Sequence, residues 1–303
     1  MLDEPNRAFL ATLAASGLPP LHELSPGEAR VAGARLAEAY GRGPEPARSE
    51  DIAIGRGLRV RLLVPDERPR GVIVYYHGGG WVTGGLDEFD TLARRLAHRT
   101  GCAVVLVDYR LAPEHRHPAA ADDAWTALRW TADNLEAIAG WSVPLIVAGD
   151  SAGGGLAAVV AQRARDAGPT IALQVLVYPV TDCDLDRDSY LDPANQLLLD
   201  RDAMAWFWDH YVPDPAARPR PDASPLRAAR LDGVAPAAVL TAEYDVLRDE
   251  GEAYAQRLAD HGVPVEHERC AGQMHGFFTL LTLPGAAVGM DFVVEQIAKH
   301  LTS

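Results

Sequence analysis

The sequence of 303 residues contains few cysteines and no excess of basic residues. Its three cysteines, Cys102, Cys183 and Cys270, are odd in number and widely spaced. This spacing fits neither a disulfide framework nor a metal motif, and it favours a reduced, cytoplasmic protein. Lys and Arg number 28 against 42 Asp and Glu, which gives a formal charge of −14, and no basic cluster occurs. Since nucleic-acid binding needs such clusters, we expect no nucleic-acid partner.

The sequence also lacks long apolar runs. The longest, such as residues 71–76 and 171–179, fall far short of the roughly 20 residues of a membrane-spanning helix, so we expect no membrane span. The N-terminus carries Asp3 and Glu4 and no basic region before an apolar core, so it does not resemble a signal peptide. With 48% hydrophobic and 23% charged residues, the composition is globular, and the length allows two domains or one large domain with an insertion.

The hydrophobic pattern indicates an α/β fold. Residues 5–40 have helical spacing, and Ser25, Pro26 and Glu28 form a helix start with Ser25 as the cap. After residue 76 strands and helices alternate, and the apolar runs are unbroken, as expected for parallel strands covered on both faces. The predicted strands are residues 51–54, 58–64, 72–76, 102–107, 143–148, 171–178, 237–241 and 263–269. The predicted helices are residues 87–100, 119–139, 156–166, 201–211, 249–261 and 286–300.

The alternation is interrupted once, by residues 180–233, which are acidic, rich in proline and largely irregular. An insertion of this length is more often functional than idle. Acids alternate along residues 182–188 as in a calcium-binding loop. However, Arg187 stands at the sixth position, where Gly is needed, and Pro193 at the twelfth, where Glu is needed. We therefore interpret this segment as a solvated acidic loop.

The most specific motif is GDSAG at residues 149–153, between a predicted strand and a predicted helix. In that setting the motif is typical of a nucleophilic serine on a sharp turn, where N–H groups at the helix N-terminus stabilise negative charge. Ser151 is the candidate nucleophile. The alternatives are a structural glycine-rich turn and a phosphate loop, although the lysine that such a loop carries is missing.

A second motif, HGGGW at residues 77–81, follows another predicted strand. Its glycines let backbone N–H groups point into a cavity, as an acyl-transfer site requires for the oxyanion of a tetrahedral intermediate. The candidate donors are Gly79, Gly80 and Ala152, with Gly78 in a supporting position. The alternative is a flexible glycine turn, which is disfavoured because the GDSAG motif occurs in the same sequence.

A serine nucleophile needs a base, which follows the acid in hydrolases with a G-x-S-x-G motif. The histidines after Ser151 are His210, His261, His267, His275 and His300. Of these, His275 is predicted to lie in a loop just past a late strand, where ligand sites gather in open α/β sheets. The alternative for His275 is a surface loop histidine.

The acid is expected after the strand predicted at residues 237–241. The candidates are Glu243, Asp245, Asp249 and Glu250. Asp245 lies at the turn, whereas Asp249 and Glu250 fall in a first helical turn, where acids are favourable in any case. We interpret Asp150, beside the candidate nucleophile, as a brace of its turn.

The motifs HGGGW, GDSAGG, DVLRDEG and MHGF, in this order, resemble the bacterial hormone-sensitive-lipase-like esterases (family IV) of the α/β-hydrolase superfamily. Residues 107–114, VDYRLAPE, also match this family, and the resemblance covers residues 50–303. It implies Ser151 as nucleophile, Asp245 as acid and His275 as base. The oxyanion hole is then formed by Gly79, Gly80 and Ala152, and His77 supports its loop.

The resemblance also implies the architecture: an α/β-hydrolase fold with a mostly parallel central sheet, flanking helices and a helical cap. The cap would comprise residues 1–45 and 180–233, and the core residues 46–179 and 234–303. One departure is Val246, which stands where the family usually has proline.

We therefore predict a carboxylic ester hydrolase that works without cofactor or metal through an acyl-enzyme. Its partner is a small-molecule ester, with short- to medium-chain acyl groups favoured, and we expect a homodimer. Aromatic residues of the cap and of HGGGW are candidates for an apolar substrate pocket: Trp81, Trp206, Phe207, Trp208 and Tyr211. Two alternatives remain: an amide-type hydrolase such as an arylformamidase on the same triad, and a non-catalytic ligand-binding relative, a type that lacks the histidine at position 275.

Overall fold

The computed structural model describes residues 1–55 and 57–301, and an eight-stranded sheet forms its centre. The strands are β1 (Arg48–Ala53), β2 (Arg59–Val64), β3 (Val72–Tyr76), β4 (Ala103–Asp108), β5 (Leu145–Asp150), β6 (Leu173–Val177), β7 (Ala237–Tyr244) and β8 (Val265–Met274). The helices are α1 (Glu4–Ala15), α2 (Pro26–Glu38), α3 (Leu86–Thr100), α4 (Ala119–Asp133), α5 (Leu135–Ala139), α6 (Ala152–Ala167), α7 (Asp188–Leu191), α8 (Arg201–Tyr211), α9 (Arg248–Asp260) and α10 (Pro284–Lys299).

The strands lie in the order β1-β2-β4-β3-β5-β6-β7-β8. β2 pairs antiparallel with β1 and β4, and every pair from β4 to β8 is parallel. The predicted α/β class with a mostly parallel sheet is confirmed. The carboxyl ends of the parallel strands share one edge, where the candidate residues of the sequence motifs gather.

Each face of the sheet carries its own apolar core. Along β3, Val72, Val74 and Tyr76 belong to one buried cluster, whereas Ile73 and Tyr75 belong to the other. Residues of α4, α6 and α9 complete the first cluster, and residues of α3 and α10 complete the second. This burial on both faces explains why the strand sequences are unbroken apolar runs, since the side chains on each face of the sheet are buried away from water.

Two helix predictions were wrong in their limits. The helix predicted at residues 119–139 is divided into α4 and α5 at Asn134, whose backbone leaves the helical region and whose side chain donates to the Trp130 carbonyl. The helix predicted from Leu156 already begins at Ala152. The glycines before Leu156 are helical rather than a loop. Position 153 must be glycine, because a side chain there would stand 1.9 Å from the carbonyl oxygen of Tyr76.

The helix start predicted at Ser25 is confirmed. The Ser25 side chain accepts from the Glu28 N–H, and Glu28 accepts in return from the Ser25 N–H at 2.9 Å. Further along α2, Arg30 donates to the carbonyl oxygen of Val82 at 2.8 Å and pairs with Glu114 at 2.7 Å. These bonds fix α2 against the loops that follow β3 and β4.

The first helix is anchored to the last strand. The Asp3 N–H donates to the carbonyl oxygen of Gly272 at 3.0 Å, and the buried Asn6 amide donates to Gln273 at 3.0 Å. Gln273 in turn donates to the Asp3 carboxylate at 2.7 Å. The N-terminal segment therefore contacts β8 just before His275.

The acidic segment at residues 182–188 differs in one respect from the predicted solvated loop. Asp184, Asp186 and Asp188 are exposed, but Asp182 is only 2% exposed. It pairs with Arg187 at 2.6 Å and also with Arg227. Burial opposes ionisation, but the hydrogen bonds from both guanidinium groups outweigh it and lower the pKa of Asp182. This carboxylate is thus a structural ion-pair centre of the insertion.

Within the two described ranges, no helix combines the length and the apolar character needed to cross a membrane.

Candidate active site

Ser151 is the residue that joins β5 to α6. Its backbone has φ 54° and ψ −121°, a left-handed conformation that is strained for a residue with a side chain. Residues at the end of β6 and just after it hold it there: the Ser151 N–H donates to the Val177 carbonyl at 2.9 Å, and the Val180 N–H donates to the Ser151 carbonyl at 3.0 Å. The hydroxyl therefore stands at the N-terminus of a helix on a rigid turn, as the motif predicts.

The structure brings the candidate acid and base into line with Ser151. His275 Nε2 lies 3.1 Å from Ser151 Oγ, and His275 Nδ1 lies 2.8 Å from Asp245 Oδ2. The Asp245 side chain is fully buried, and its other oxygen accepts from the Leu247 N–H at 2.9 Å. Each of the three is the first residue after a strand, β5, β7 or β8, and so the common edge of a parallel sheet brings them together.

The other candidate acids are engaged elsewhere. Glu243 accepts from the Gly272 N–H at 2.6 Å, and Asp249 accepts from the Ser189 N–H at 2.7 Å. Glu250 is fully buried and accepts from the Thr181 N–H at 2.7 Å. Their hydrogen bonds hold the last strand and the insertion in place, which leaves Asp245 as the acid that bonds to His275.

The other candidate histidines also have local roles. His261 and His300 each bond to a carbonyl within their own helix end, at 2.7 Å and 3.0 Å. His267 lies 3.1 Å from the Thr241 hydroxyl on the outer strands, and the His210 ring packs edge-on against Trp206. In the described part of the chain, His275 is the histidine that contacts Ser151.

The HGGGW loop lies beside Ser151, and its backbone conformation is unusual. Gly79, Gly80 and Trp81 have φ values of 106°, 58° and 61°, so two of the three positions in left-handed backbone are glycines. The Gly78 N–H donates to Asp150 Oδ1 at 3.0 Å and is therefore occupied. Gly79 and Gly80, with Ala152 at the start of α6, remain the donors that the sequence predicts.

Asp150 connects this loop to the serine turn. Asp150 is buried and accepts hydrogen bonds from the Tyr75 hydroxyl at 2.8 Å and from the Gly78 N–H. A side chain at position 78 would stand only 2.2 Å from the Asp150 carboxylate. Burial raises the pKa of Asp150 to about 6. Its hydrogen bonds go to β3 and the glycine loop rather than to His275, in keeping with its interpretation as a brace.

His77 lies at the base of the same loop. Its ring stacks on Tyr109 with centroids 4.2 Å apart, and its Nδ1 lies 2.7 Å from the Gly78 carbonyl oxygen. Burial lowers the pKa of His77 to about 4, so the imidazole is neutral at neutral pH. These contacts are consistent with the predicted role of His77 as a support of the HGGGW loop.

The predicted pocket aromatics pack around the glycine loop and around one another. Trp81 stacks on Tyr211 with centroids 4.1 Å apart, and Trp208 is fully buried beside it. The Phe207 ring lies so close to Gly80 that a side chain there would stand 2.0 Å from it. Trp206 packs edge-on against Phe207.

A cavity of about 170 Å³ opens between the glycine loop and the segment after His275. Gly79 and Gly276 border it, and the rest of its wall is largely apolar and includes Leu36, Ala37, Leu92, Leu198, Leu280 and Leu281. Two of these side chains belong to α2, so the N-terminal segment helps to enclose the space. Within the described residues, no group of three or more His, Cys, Asp or Glu side chains is arranged to hold a metal ion.

The sequence did not reveal the roles of two buried residues at this edge, Glu250 and Tyr178. Glu250 was a candidate for the acid that bonds to His275, but its hydrogen bonds hold the insertion in place instead. Its position in a helical turn did not predict that contact. Tyr178 follows β6 and packs against the His275 ring with centroids 4.5 Å apart. A Val-Tyr-Pro sequence after a strand carries no recognisable motif.

The comparisons with known proteins agree with this geometry. A protein-family model described as an alpha/beta hydrolase fold matches residues 73–279. The chain belongs to this family. The predicted fold class and the resemblance to hormone-sensitive-lipase-like esterases are thereby confirmed.

Several proteins of known name are similar in sequence to this chain. The carboxylesterase NlhH of Mycobacterium tuberculosis is 45% identical over 245 residues, which cover 78% of this chain and 76% of the relative. The ethyl acetate hydrolase of Pseudomonas putida is 37% identical over 297 residues, which cover 93% and 92%. Among solved structures, an ester hydrolase from the metagenome of Lake Arreo superposes with a TM-score of 0.93 at 38% identity, over 100% of both chains.

Proposed function

We propose that this α/β hydrolase cleaves carboxylic esters with Ser151 as nucleophile, His275 as general base and Asp245 as the acid that orients it. The observation that carries the proposal is the hydrogen-bonded series from Ser151 Oγ through both ring nitrogens of His275 to the buried Asp245. Relatives named carboxylesterase and ethyl acetate hydrolase support the ester as the substrate class. The presence of His275 argues against a non-catalytic relative.

The steps follow from this geometry. His275 Nε2 takes the Ser151 proton as Oγ attacks the ester carbonyl carbon, and Asp245 stabilises the resulting imidazolium through Nδ1. The N–H groups of Gly79, Gly80 and Ala152 hold the oxyanion of the tetrahedral intermediate. As that intermediate collapses, His275 returns the proton to the leaving alkoxide. Water then attacks the acyl-enzyme by the same steps, which releases the acid and restores Ser151.

The cavity supports short- to medium-chain acyl esters as substrates. A protein cavity of about 150 Å³ accommodates benzene, and the space beside the proposed oxyanion donors, about 170 Å³, is of similar size. Its apolar wall suits a hydrocarbon group. We propose that residues 1–45 and 180–233 form a cap over it, supported by the place of α2 in the cavity wall and of Phe207 against Gly80.

Two wider proposals come from the sequence. Three free thiols, of which Cys102 and Cys270 are buried, support a cytoplasmic location. A homodimer is supported by β8, which ends the sheet and offers an edge strand to a second copy. Analytical ultracentrifugation tests the dimer.

The central experiment compares four proteins on p-nitrophenyl esters of rising acyl length. We expect Ser151→Ala to lose at least about 10³-fold in kcat and Asp245→Asn to lose a comparable factor. Asp249→Asn is the matched control, since it changes a neighbouring acid that bonds to the insertion instead of His275, and its loss should be far smaller. Turnover should fall beyond medium chain lengths.

Three results would contradict the proposal. Full ester turnover by Ser151→Ala would exclude Ser151 as nucleophile. A greater loss in Asp249→Asn than in Asp245→Asn would reassign the acid. Faster turnover of a formanilide than of every ester would favour the amide-type alternative.

A further inference from the structure

Tyr178 has a backbone conformation that a residue with a large side chain seldom adopts. Its φ is 34°, in the left-handed region, directly after β6. Among the described residues other than glycine, only Trp81 and Ser151 share a positive φ, and both belong to the motifs of the site. Backbone strain of this kind persists where the surrounding structure enforces it, and it clusters at functional sites.

The neighbours of Tyr178 explain the strain. Val177 accepts from the Ser151 N–H, and Val180 donates to the Ser151 carbonyl, so the segment on either side of Tyr178 clasps the peptide groups of Ser151. The Tyr178 N–H is itself bonded to the carbonyl of Leu240 on β7. Between these fixed points the chain must turn at residue 178, and the turn directs the aromatic ring toward the site.

The ring of Tyr178 packs directly on the proposed base. Its centroid lies 4.5 Å from that of His275, with 51° between the planes, and the residue is 1% exposed. On another side it meets Phe277 edge-on at 5.7 Å. A cation within about 6 Å of an aromatic centroid is attracted by the ring, most strongly where water is excluded.

The hydroxyl of Tyr178 contributes much less to this arrangement. It is buried near Thr279 but makes no hydrogen bond of normal geometry with any described residue. A buried hydroxyl without a partner is unfavourable. The aromatic ring is therefore the part of Tyr178 that the site uses.

We propose that Tyr178 is a positioning residue for the hydrolysis: its ring holds the imidazole of His275 between Ser151 and Asp245 and stabilises the imidazolium that forms as the serine proton moves to Nε2. This inference rests on the proposed function of Ser151 and His275. Because the proposed mechanism forms the imidazolium as the serine proton moves to Nε2, loss of the ring should lower kcat and leave KM unchanged.

The test uses Tyr178→Phe, which keeps the ring, and Tyr178→Leu, which removes it. We expect Tyr178→Phe to retain kcat within about twofold, because it removes only a hydroxyl without a partner. We expect Tyr178→Leu to lose about tenfold or more in kcat at unchanged KM, the loss that corresponds to one strong ring–cation contact. Each kcat is expressed per folded site, counted by labelling Ser151 with an organophosphonate.

Phe292→Leu is the matched control for the loss of a buried ring. Phe292 lies on α10 in the same apolar cluster as Tyr178, but in the described structure the ring that packs on His275 is that of Tyr178. We expect this variant to lose thermal stability as Tyr178→Leu does, with kcat per labelled site close to that of the parent protein.

Two outcomes would overturn the inference. If Tyr178→Leu keeps its kcat per labelled site, the ring does not assist His275. If Tyr178→Phe is impaired as strongly as Tyr178→Leu, the hydroxyl and not the ring is responsible. Failure of Ser151 to label in the parent protein would instead contradict the proposed function itself.

Discussion

The turn that carries Ser151 and the junction that carries Asp245 hold their residues by different means. Around Ser151 the backbone itself is in close contact, with Gly153 against the Tyr76 carbonyl. Around Asp245 buried side chains connect distant segments, as Glu250 does with Thr181 and Asp249 with Ser189. The first region should therefore be sensitive to added volume, and the second to changes in charge and pH.

The largest expected effect is that of Gly153→Ala. The new methyl group would stand 1.9 Å from the Tyr76 carbonyl oxygen, and backbone cannot yield as a flexible side chain can. We expect a loss of at least about 4 kcal/mol in the free energy of unfolding, measured in urea, with loss of ester turnover. Gly27→Ala is the matched control, since Gly27 occupies the same position in the first turn of α2 and has open space around it.

Gly27→Ala should be neutral or slightly stabilising, because alanine favours a helix over glycine. Equal tolerance of alanine at Gly27 and Gly153 would remove the proposed difference between the two regions.

The second effect concerns Glu250 and pH. Burial raises the pKa of Glu250 to about 8 from 4.5, so the folded protein keeps a proton that the unfolded chain releases. Stability should therefore be full below pH 4.5 and fall as the pH rises to about 8, by about 4 kcal/mol in total. Glu250→Gln, which cannot ionise, should lack this fall when unfolding is measured from pH 4.5 to 9.

Glu266→Gln, a change at an exposed acid on β8, serves as the control and should follow the parent protein at every pH. The same pH dependence in Glu250→Gln and the parent would mean that Glu250 is ionised in the fold.

The smallest of the three effects is expected at Asp182. Asp182→Asn removes the charge that pairs with Arg187 and Arg227. Since both arginines reach solvent, we expect a loss of about 2 kcal/mol at neutral pH rather than the larger loss of a fully buried pair. Asp184→Asn, two residues away and exposed, should change the unfolding midpoint little. Equal midpoints for the two variants would make the buried pair energetically unimportant.

The same difference explains what the sequence could and could not predict. The serine turn and the glycine loop are specified by short motifs, since adjacent glycines produce the close contacts. Parallel strands then carry Asp245 and His275 to the same edge as Ser151. The contacts of Glu250 with Thr181 and of Asp182 with Arg227 join positions 69 and 45 residues apart, and no local sequence pattern predicts them. The start of α6 was misjudged because its glycines serve close packing inside a helix.

The anchoring of α1 has a consequence for the order of biosynthesis. Asn6 bonds to a side chain 267 residues later in the chain, and Asp3 to the same side chain 270 residues later. When the first helix leaves the ribosome, this partner has yet to be made. The segment that ends in His275 can therefore be joined by α1 only after residue 273 has been made.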